Sequence, residues 1–387
     1  MTAVDPALLD GVRARLRSVG AAEAPDDADV AEALRASGRV LGSDALADLT
    51  RAARAELTGA GPLQPLLELP GVTDVLVNAP DQVWVDQGDG LHRVDLHLGT
   101  PADVRALAVR MAAVTGQRLD DASPVVDARL PDGTRLHAAV EPVAPCGAVV
   151  ALRVLRQATL DLAALTAGGA VPPVWTPLLH GLVQGRANVL ITGGTGTGKT
   201  TLLAALLALV PPDERLLTVE EARELAPRHP HVVGLAARRA NVEGVGEVTL
   251  TDLVRGALRM RPDRIVLGEC RGAEVRELLL ALNTGHDGGM ATVHANAAEH
   301  VPARLEALAA LAGMPRQAVA GQAAAALDVV LHLRRRRDVR HLAQIATVDR
   351  SDEGELEVRP VATWEGPLGP PPSAGPAWER TEARWAP

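Results

Sequence analysis

Residues 1–57 set apolar side chains at helical spacing: Leu8, Leu9, Val12 and Leu16, then Val30, Leu34, Val40, Leu41, Leu46 and Leu49, with a Pro/Asp-rich break near Pro25. Positions three and four apart share one helix face, so this prefix is predicted helical. From Gly59 the pattern shortens to the runs VTDVLVN (72–78) and QVWVD (82–86), followed by a polar turn at Gly88 to Gly90. Such runs predict strands and a hairpin. A helix over about 101–116 and strands around 134–140 and 148–155 complete an α/β domain spanning 58–157. Gly168, Gly169, Pro172, Pro173 and Pro177 then punctuate residues 158–178, which read as an interdomain linker.

Beyond the linker, strand-like runs alternate with helical ones. NVLIT (188–192), RLLTVE (215–220), RIVLGE (264–269) and GMATVHA (289–295) are separated by a helix from Lys199, one near 251–260 and one near 273–283. That order predicts a mostly parallel sheet flanked by helices over 179–365, with a closing hairpin at about 328–360. The Pro-rich end, 366–387, is expected to be a disordered tail.

A chain of 387 residues is long enough for two or three domains. Phe and Tyr are absent and only five Trp supply aromatic area, so Leu, Val and Ala must fill the core. Acidic residues (48) outnumber basic ones (39), giving a formal charge of -9, which opposes coating of nucleic acid by bulk electrostatics. Scarce aromatics also leave little with which to stack single-stranded bases, so no direct nucleic-acid partner is expected. Cys146 and Cys270 lie far apart and suggest neither a disulfide framework nor a thiolate metal site, which fits a reducing cytosol. The N-terminus lacks the apolar stretch of a signal peptide, and no apolar run approaches the roughly 20 residues that span a bilayer, so any membrane contact is expected to be peripheral.

Chemistry concentrates in the second half. Gly193, Gly194, Thr195, Gly196, Thr197, Gly198, Lys199 and Thr200, with Thr201 beside them, fit GxxxxGK[ST] in full, between an apolar strand and an apolar helix. Glycines permit a tight loop whose amides face phosphates, Lys199 reaches the β- and γ-oxygens, and Thr200 can hold Mg²⁺. Glu269 ends the run RIVLGE, at the strand end where sites form in open α/β sheets. It can hold Mg²⁺ through water or orient the attacking water, and both roles stay open. Glu220 and Glu221 follow another strand, so at least one can point into the same crevice. His286 and His294 flank a small-residue strand; without a third ligand nearby zinc is a poor reading, and a neutral donor sensing the γ-phosphate suits the context. Thr249 and Asp252 form a capping-box pattern opening a helix on which Arg255 and Arg259 share a face, either solvated or turned to a subunit interface or a phosphate. The run Arg334 to Arg337 reads as a solvated turn between strands, or as a patch that docks a partner or acidic lipid.

In order, the phosphate loop (193–200), the acidic box TVEEARE (218–224), GECRG (268–272) and NTGHDGGMATVHAN (283–296) resemble the type II/IV secretion ATPase superfamily. The stretch NVEGVGEVTLTDLVRGALRMRPDR (241–264) is similar to the tight-adherence (Tad/Flp) pilus branch, and likeness extends upstream through GPLQPLL (61–67), VTDVLVNAPDQVWV (72–85) and SPVVDARLPDGTRLHA (123–138), covering roughly 59–345. The resemblance implies an α/β fold: a RecA-like P-loop NTPase core, a smaller N-terminal α/β domain and, here, a helical prefix. It implies ATP and Mg²⁺ as cofactors, a homo-hexameric ring, an inner-membrane platform protein as partner, and a cytoplasmic site at the membrane's inner face. It also implies that N-terminal arginines close on the nucleotide, the matching positions being Arg129, Arg135 and Arg153. Two departures stand out: Glu221 occupies a place where Asp is common, and Arg239-Ala240 replaces a usual Pro-Pro. A DNA-transfer or helicase-like ATPase and a nonhydrolysing nucleotide-gated scaffold are the alternatives; the acidic charge opposes the first and intact Lys199, Thr200 and Glu269 oppose the second.

Overall fold

In a computed structural model of the chain, the described residues are 5–18, 25–37, 42–88, 90–144, 147–154, 160–238, 240, 245–336 and 339–386. Val40, Leu41, Cys146, Arg239 and Arg337 therefore lie outside them. The chain divides into two units, Met1–Arg156 and Gln157–Pro387.

The first unit opens with α1 (Pro6–Ser18), α2 (Asp27–Ala36) and α3 (Ser43–Leu57), whose apolar faces meet through Leu8, Leu9, Val12, Leu16, Val30, Leu34 and Ala53. Asp26 and Asp29 form a reciprocal capping box that starts α2. After the short α4 (Gln64–Leu67) come β1 (Asp74–Ala79), β2 (Gln82–Asp86), β3 (Leu91–Val94), α5 (Pro101–Val114), β4 (Val125–Arg129), β5 (Arg135–Val140) and β6 (Ala148–Arg153). Among the described residues the strands form one antiparallel sheet in the order β3-β2-β1-β6-β5-β4. Burial alternates along β1 and β2, as expected when one face packs and the other is wet. Helix α5 covers the packed face with Val104, Leu107, Ala108 and Met111, spaced three and four apart.

The second unit runs α6 (Leu162–Ala167), α7 (Thr176–Gln184), β7 (Val189–Gly193), α8 (Lys199–Leu207), β8 (Leu216–Glu220), β9 (Val232–Ala236), α9 (Leu250–Ala257), β10 (Arg264–Cys270), α10 (Val275–Leu282), β11 (Met290–Val293), α11 (Val301–Leu311), α12 (Arg316–Ala326), β12 (Val329–Arg336), β13 (Val339–Arg350), β14 (Leu356–Thr363), β15 (Ser373–Ala374) and α13 (Trp378–Trp385). Its described strands order as β15-β14-β13-β12-β7-β11-β10-β8-β9, parallel from β12 to β9 and antiparallel from β12 to β15. Strands β7, β8 and β11 are buried throughout. Leu190, Leu217 and Leu267 face α9 to α12, while Val189, Ile191 and Val266 face α7 and α8, so each strand is covered on both sides.

Three expectations need correcting. The supposed linker is core: Leu162, Leu165, Val171 and Trp175 are buried, and Pro173 and Pro177 stand in the first turns of helical segments, where a missing N–H costs nothing. The end of the chain carries β15 and α13 rather than a disordered tail. Trp378 and Trp385 pack on the second unit's core, Arg384 pairs with Asp328 at 2.7 Å, and a Cβ at Gly181 of α7 would run into the Trp385 carbonyl oxygen. Finally, Arg334, Arg335 and Arg336 belong to β12 itself and are not a turn. No helix among the described residues is long and apolar enough to cross a membrane.

Candidate nucleotide site

The loop between β7 and α8 takes its shape from its glycines. Gly193, Gly196 and Gly198 have φ of 151°, 70° and 95°, which side chains rarely tolerate, and a Cβ on Gly193 would stand 2.6 Å from the Leu333 carbonyl oxygen. Thr197 Oγ1 donates to the Gly194 carbonyl at 2.9 Å and braces the bend. Lys199, 8% exposed, opens α8, and Thr200 and Thr201 follow in its first turn, where backbone N–H groups lack partners within the helix. The Lys199 ammonium donates to the carbonyls of Gly193 (3.1 Å) and Gly194 (2.8 Å), so it is folded over the loop.

From Lys199 a chain of charges crosses the ends of the parallel strands. Lys199 Nζ lies 3.4 Å from His294 Nε2, just past β11, and that nitrogen lies 2.6 Å from Glu269 Oε1 on β10. Arg271 then donates to Glu269 Oε2 at 2.6 Å and to Glu221 Oε2 at 3.2 Å, just past β8. Burial, reinforced by the Lys199 ammonium, holds the His294 imidazole below its ordinary pKa. Glu269 Oε1, although this close to the ring, is buried without a hydrogen-bond partner among the described residues. Burial also lowers the Lys199 pKa, opposed by the Glu269 charge. Four strand ends, those of β7, β11, β10 and β8, thus deliver a lysine, a histidine and two acids to one crevice, with Arg271 tying the acids together.

Glu220 behaves differently from the expectation that it joins these acids. It is 4% exposed, and its Oε1 accepts from the amides of Glu224 and Leu225, both at 2.9 Å. A strand's alternation sends adjacent residues to opposite sides, so Glu220 turns inward to cap the following bend while Glu221 meets Arg271. Gly268 makes room for it: a Cβ there would stand 2.6 Å from Glu220 Cγ. His286 precedes β11 and contacts the Ala281 carbonyl at 3.3 Å, at the strand end opposite His294. Arg255 of α9 donates to Glu277 of α10 at 2.6 Å, and Thr249 and Asp252 form the expected capping box.

The first unit gathers its own candidates by register. Arg129 on β4 pairs with Arg135 on β5, Arg135 pairs with Arg153 on β6, and Arg153 pairs with Asp74 on β1. Residues directly opposed across a sheet share a face, so the three arginines form one row about 10 Å long. Arg153 Nε donates to Asp74 Oδ1 at 2.9 Å. Like charges placed directly opposite destabilise a sheet, and at the β6 end of the row Asp74 offsets the charge of Arg153.

The sequence profile of the type II/IV secretion system protein family matches residues 56–363. The chain belongs to that family. A putative conjugal transfer protein of Mycobacterium tuberculosis is 55% identical to it over 334 residues, covering 84% of this chain and 94% of that protein. The type IV secretion system protein PtlH of Bordetella pertussis is 33% identical over 269 residues, covering 63% of this chain and 78% of that one. A crystal structure of the pilus retraction motor PilT with bound ADP covers 77% of this chain and 85% of its own, with 21% identity and a TM-score of 0.55; that likeness is one of fold. The chain is thus α/β, with a smaller N-terminal unit and a RecA-like P-loop core.

Within this secretion family member, sequence reasoning took in Arg271 only as part of GECRG and gave it no role, and it passed over Gly268, which makes room for Glu220. Arg271 stands two residues after Glu269, the spacing that puts both on one side of an extended strand, and that signal was available in GECRG. Thr192 contacts His332 Nδ1 at 2.8 Å across β7 and β12, a pairing 140 residues apart that only the sheet order reveals.

Proposed function

We propose that this chain is an ATP-hydrolysing, Mg²⁺-dependent motor subunit of a secretion or pilus-assembly machine. The observation that supports this best is the unbroken run from Lys199 through His294 and Glu269 to Arg271 and Glu221, laid against the phosphate loop. The loop amides, Lys199 and the first turn of α8 bind the phosphates, and Lys199 exchanges its two carbonyl contacts for phosphate oxygens. Gly193, Gly196 and Gly198 make a cradle that side chains would fill, and Thr200 and Glu269 supply the oxygen ligands magnesium prefers, so the residues fit Mg·ATP. Magnesium, when bound, neutralises charge on the transferring phosphoryl group. Glu269, fixed by Arg271 and abutting His294, orients water, and the neutral His294 N–H donates toward the terminal phosphate. Glu221 is the second acid of the crevice; Glu220 holds the bend beneath it.

The arginine row of the first unit supports a further part of the proposal: Arg129, Arg135 and Arg153 close on the nucleotide and neutralise transition-state charge. We place the subunit in a homo-hexameric ring on the cytoplasmic side of the membrane, docked on a membrane platform protein. In the test, Mg²⁺-dependent phosphate release is measured for the parent, Lys199→Ala and Glu269→Gln. Loss of turnover in both variants is expected, and turnover equal to the parent's removes the motor reading.

The name of the Mycobacterium relative favours a second reading, ATP-driven DNA transfer. ATPase activity stimulated by single-stranded DNA, with steep salt dependence, would shift the assignment from protein export to that reading.

A further inference from the structure

A concavity of about 650 Å³ opens beside the phosphate loop, built entirely within the second unit. Its walls are Gly194, Thr195 and Thr197 of the loop, the end of β12 with Arg334, Arg335 and Arg336, and Trp364 and Glu365 just past β14. That volume is in the range of small-molecule sites. An arginine run at a strand end is ordinarily a solvated surface, but here it lines a hollow with a tryptophan at its side.

The two flanks of the loop differ in chemistry. On the flank of β11 and β10 stand His294 and Glu269, where the reacting phosphate must lie if a carboxylate is to orient water toward it. On the other flank the neighbour of β7 is β12. A nucleotide gripped by its phosphates, with the terminal one toward Glu269, therefore trails its nucleoside toward β12, and the concavity is what it meets. Trp364 is half-buried and held in place, its ring centroid 6.4 Å from that of Trp175 and 5.6 Å from that of His341, both edge-on. Edge-on partners leave the orientation of the indole plane fixed, as a stacking surface requires. Arg336 donates to Glu365 Oε2 at 2.9 Å, which places a carboxylate, an acceptor for ribose hydroxyls or an exocyclic amine, at the rim. Arg334 and Arg335 add positive charge where the phosphates begin.

We propose that this concavity is the nucleoside subsite, with Trp364 as the face on which the base stacks and Arg334, Arg335 and Glu365 contacting the ribose and the first phosphate. The assignment rests on the loop being the phosphate site, and the experiment separates the two claims. Affinities for ATP and for inorganic tripolyphosphate, both with Mg²⁺, are measured by calorimetry on the full chain and its variants. Trp364→Leu is expected to weaken ATP roughly tenfold while leaving tripolyphosphate within about twofold, because only ATP carries a base to stack. Lys199→Ala is expected to weaken both. Because Trp364 also packs on Trp175, Arg335→Gln gives a variant whose exposed side chain lies outside that packing; a several-fold loss for ATP, larger than the loss for tripolyphosphate, is expected there because only ATP presents a ribose. In the unsubstituted chain, ATP but not tripolyphosphate is expected to quench tryptophan emission, and the quench is expected to vanish in Trp364→Leu. Unchanged ATP affinity in both Trp364→Leu and Arg335→Gln, or equal losses for ATP and tripolyphosphate, overturns the subsite and leaves the loop reading intact. A parent chain that binds neither ligand overturns the loop reading itself.

Discussion

The two units collect charge in opposite ways. In the second, strands β7, β8 and β11 are buried on both faces, so charged side chains can stand only at strand ends, and there Lys199, His294, Glu269, Arg271 and Glu221 meet. In the first, one sheet face is wet and charge can sit at every second position, so Arg129, Arg135 and Arg153 are gathered by register across β4, β5 and β6. A fully covered sheet therefore advertises its site through where its apolar runs stop. A half-covered sheet carries rows of charge that cannot be told from ordinary surface charge until the pairing is known.

The sharpest way to break this contrast is to remove one charge from each unit. Glu269→Gln is expected to lower ATP turnover at least about a thousandfold, the scale of a lost positioning group, with little change in melting temperature, and steady-state phosphate release checks it. Arg135→Ala removes the middle of the row; turnover is expected to fall roughly a hundredfold while stability changes by less than about 1 kcal/mol. Stability that falls by more than about 1 kcal/mol in Arg135→Ala would mean the row is structural. In the covered sheet, Gly268→Ala forces a methyl to 2.6 Å from Glu220 Cγ and is expected to cost about 1–3 kcal/mol in urea unfolding.

Protonation probes the same sheet more gently. Burial, with Arg334 adding to it, holds His332 at a pKa of about 4 against an ordinary 6.5. The unfolded chain takes up this proton near pH 6.5 and the folded chain resists until about 4, so stability is complete above 6.5 and declines as pH falls through that window, by at most about 3 kcal/mol. Urea midpoints at pH 7 and pH 4.5 should differ less in His332→Gln than in the parent. The smallest effect is expected at Arg153→Ala, whose exposed pair with Asp74 contributes about 0–1 kcal/mol, whatever it does to turnover.

How much could be read in advance follows from the same contrast. NVLIT, RLLTVE and RIVLGE announced β7, β8 and β10, and the glycine loop announced its chemistry, because continuous apolar runs and their stops are local signals. The row of Arg129, Arg135 and Arg153 was legible only by family resemblance, since residues 6 and 18 apart become neighbours through pairing alone, and β4 is a short run, VVDAR, with little to mark it. Punctuation misled twice. Pro173 and Pro177 open helical segments instead of breaking structure, and the proline-rich end holds Trp378 and Trp385, whose burial in a chain without Phe or Tyr outweighs the local composition. Glu220 and Glu221 were indistinguishable as a pair; only the alternation of β8 says which turns inward.

Strand β10 carries charge at both extremities. Its first residue, Arg264, is fully enclosed and grips Glu214 with two hydrogen bonds of 2.7 and 3.1 Å, while Glu269 emerges five residues later. Arg186 reaches the same glutamate at 3.0 Å, and the hydrogen bond from Arg264 holds its carboxyl below the usual range. The strand is thus anchored like a tent pole in its socket, and the socket sets how far the tip projects, roughly 16 Å above. Loosening the base, as in Arg264→Met, should accordingly show up as slower phosphate release at the summit, by an influence transmitted along a single taut segment of backbone.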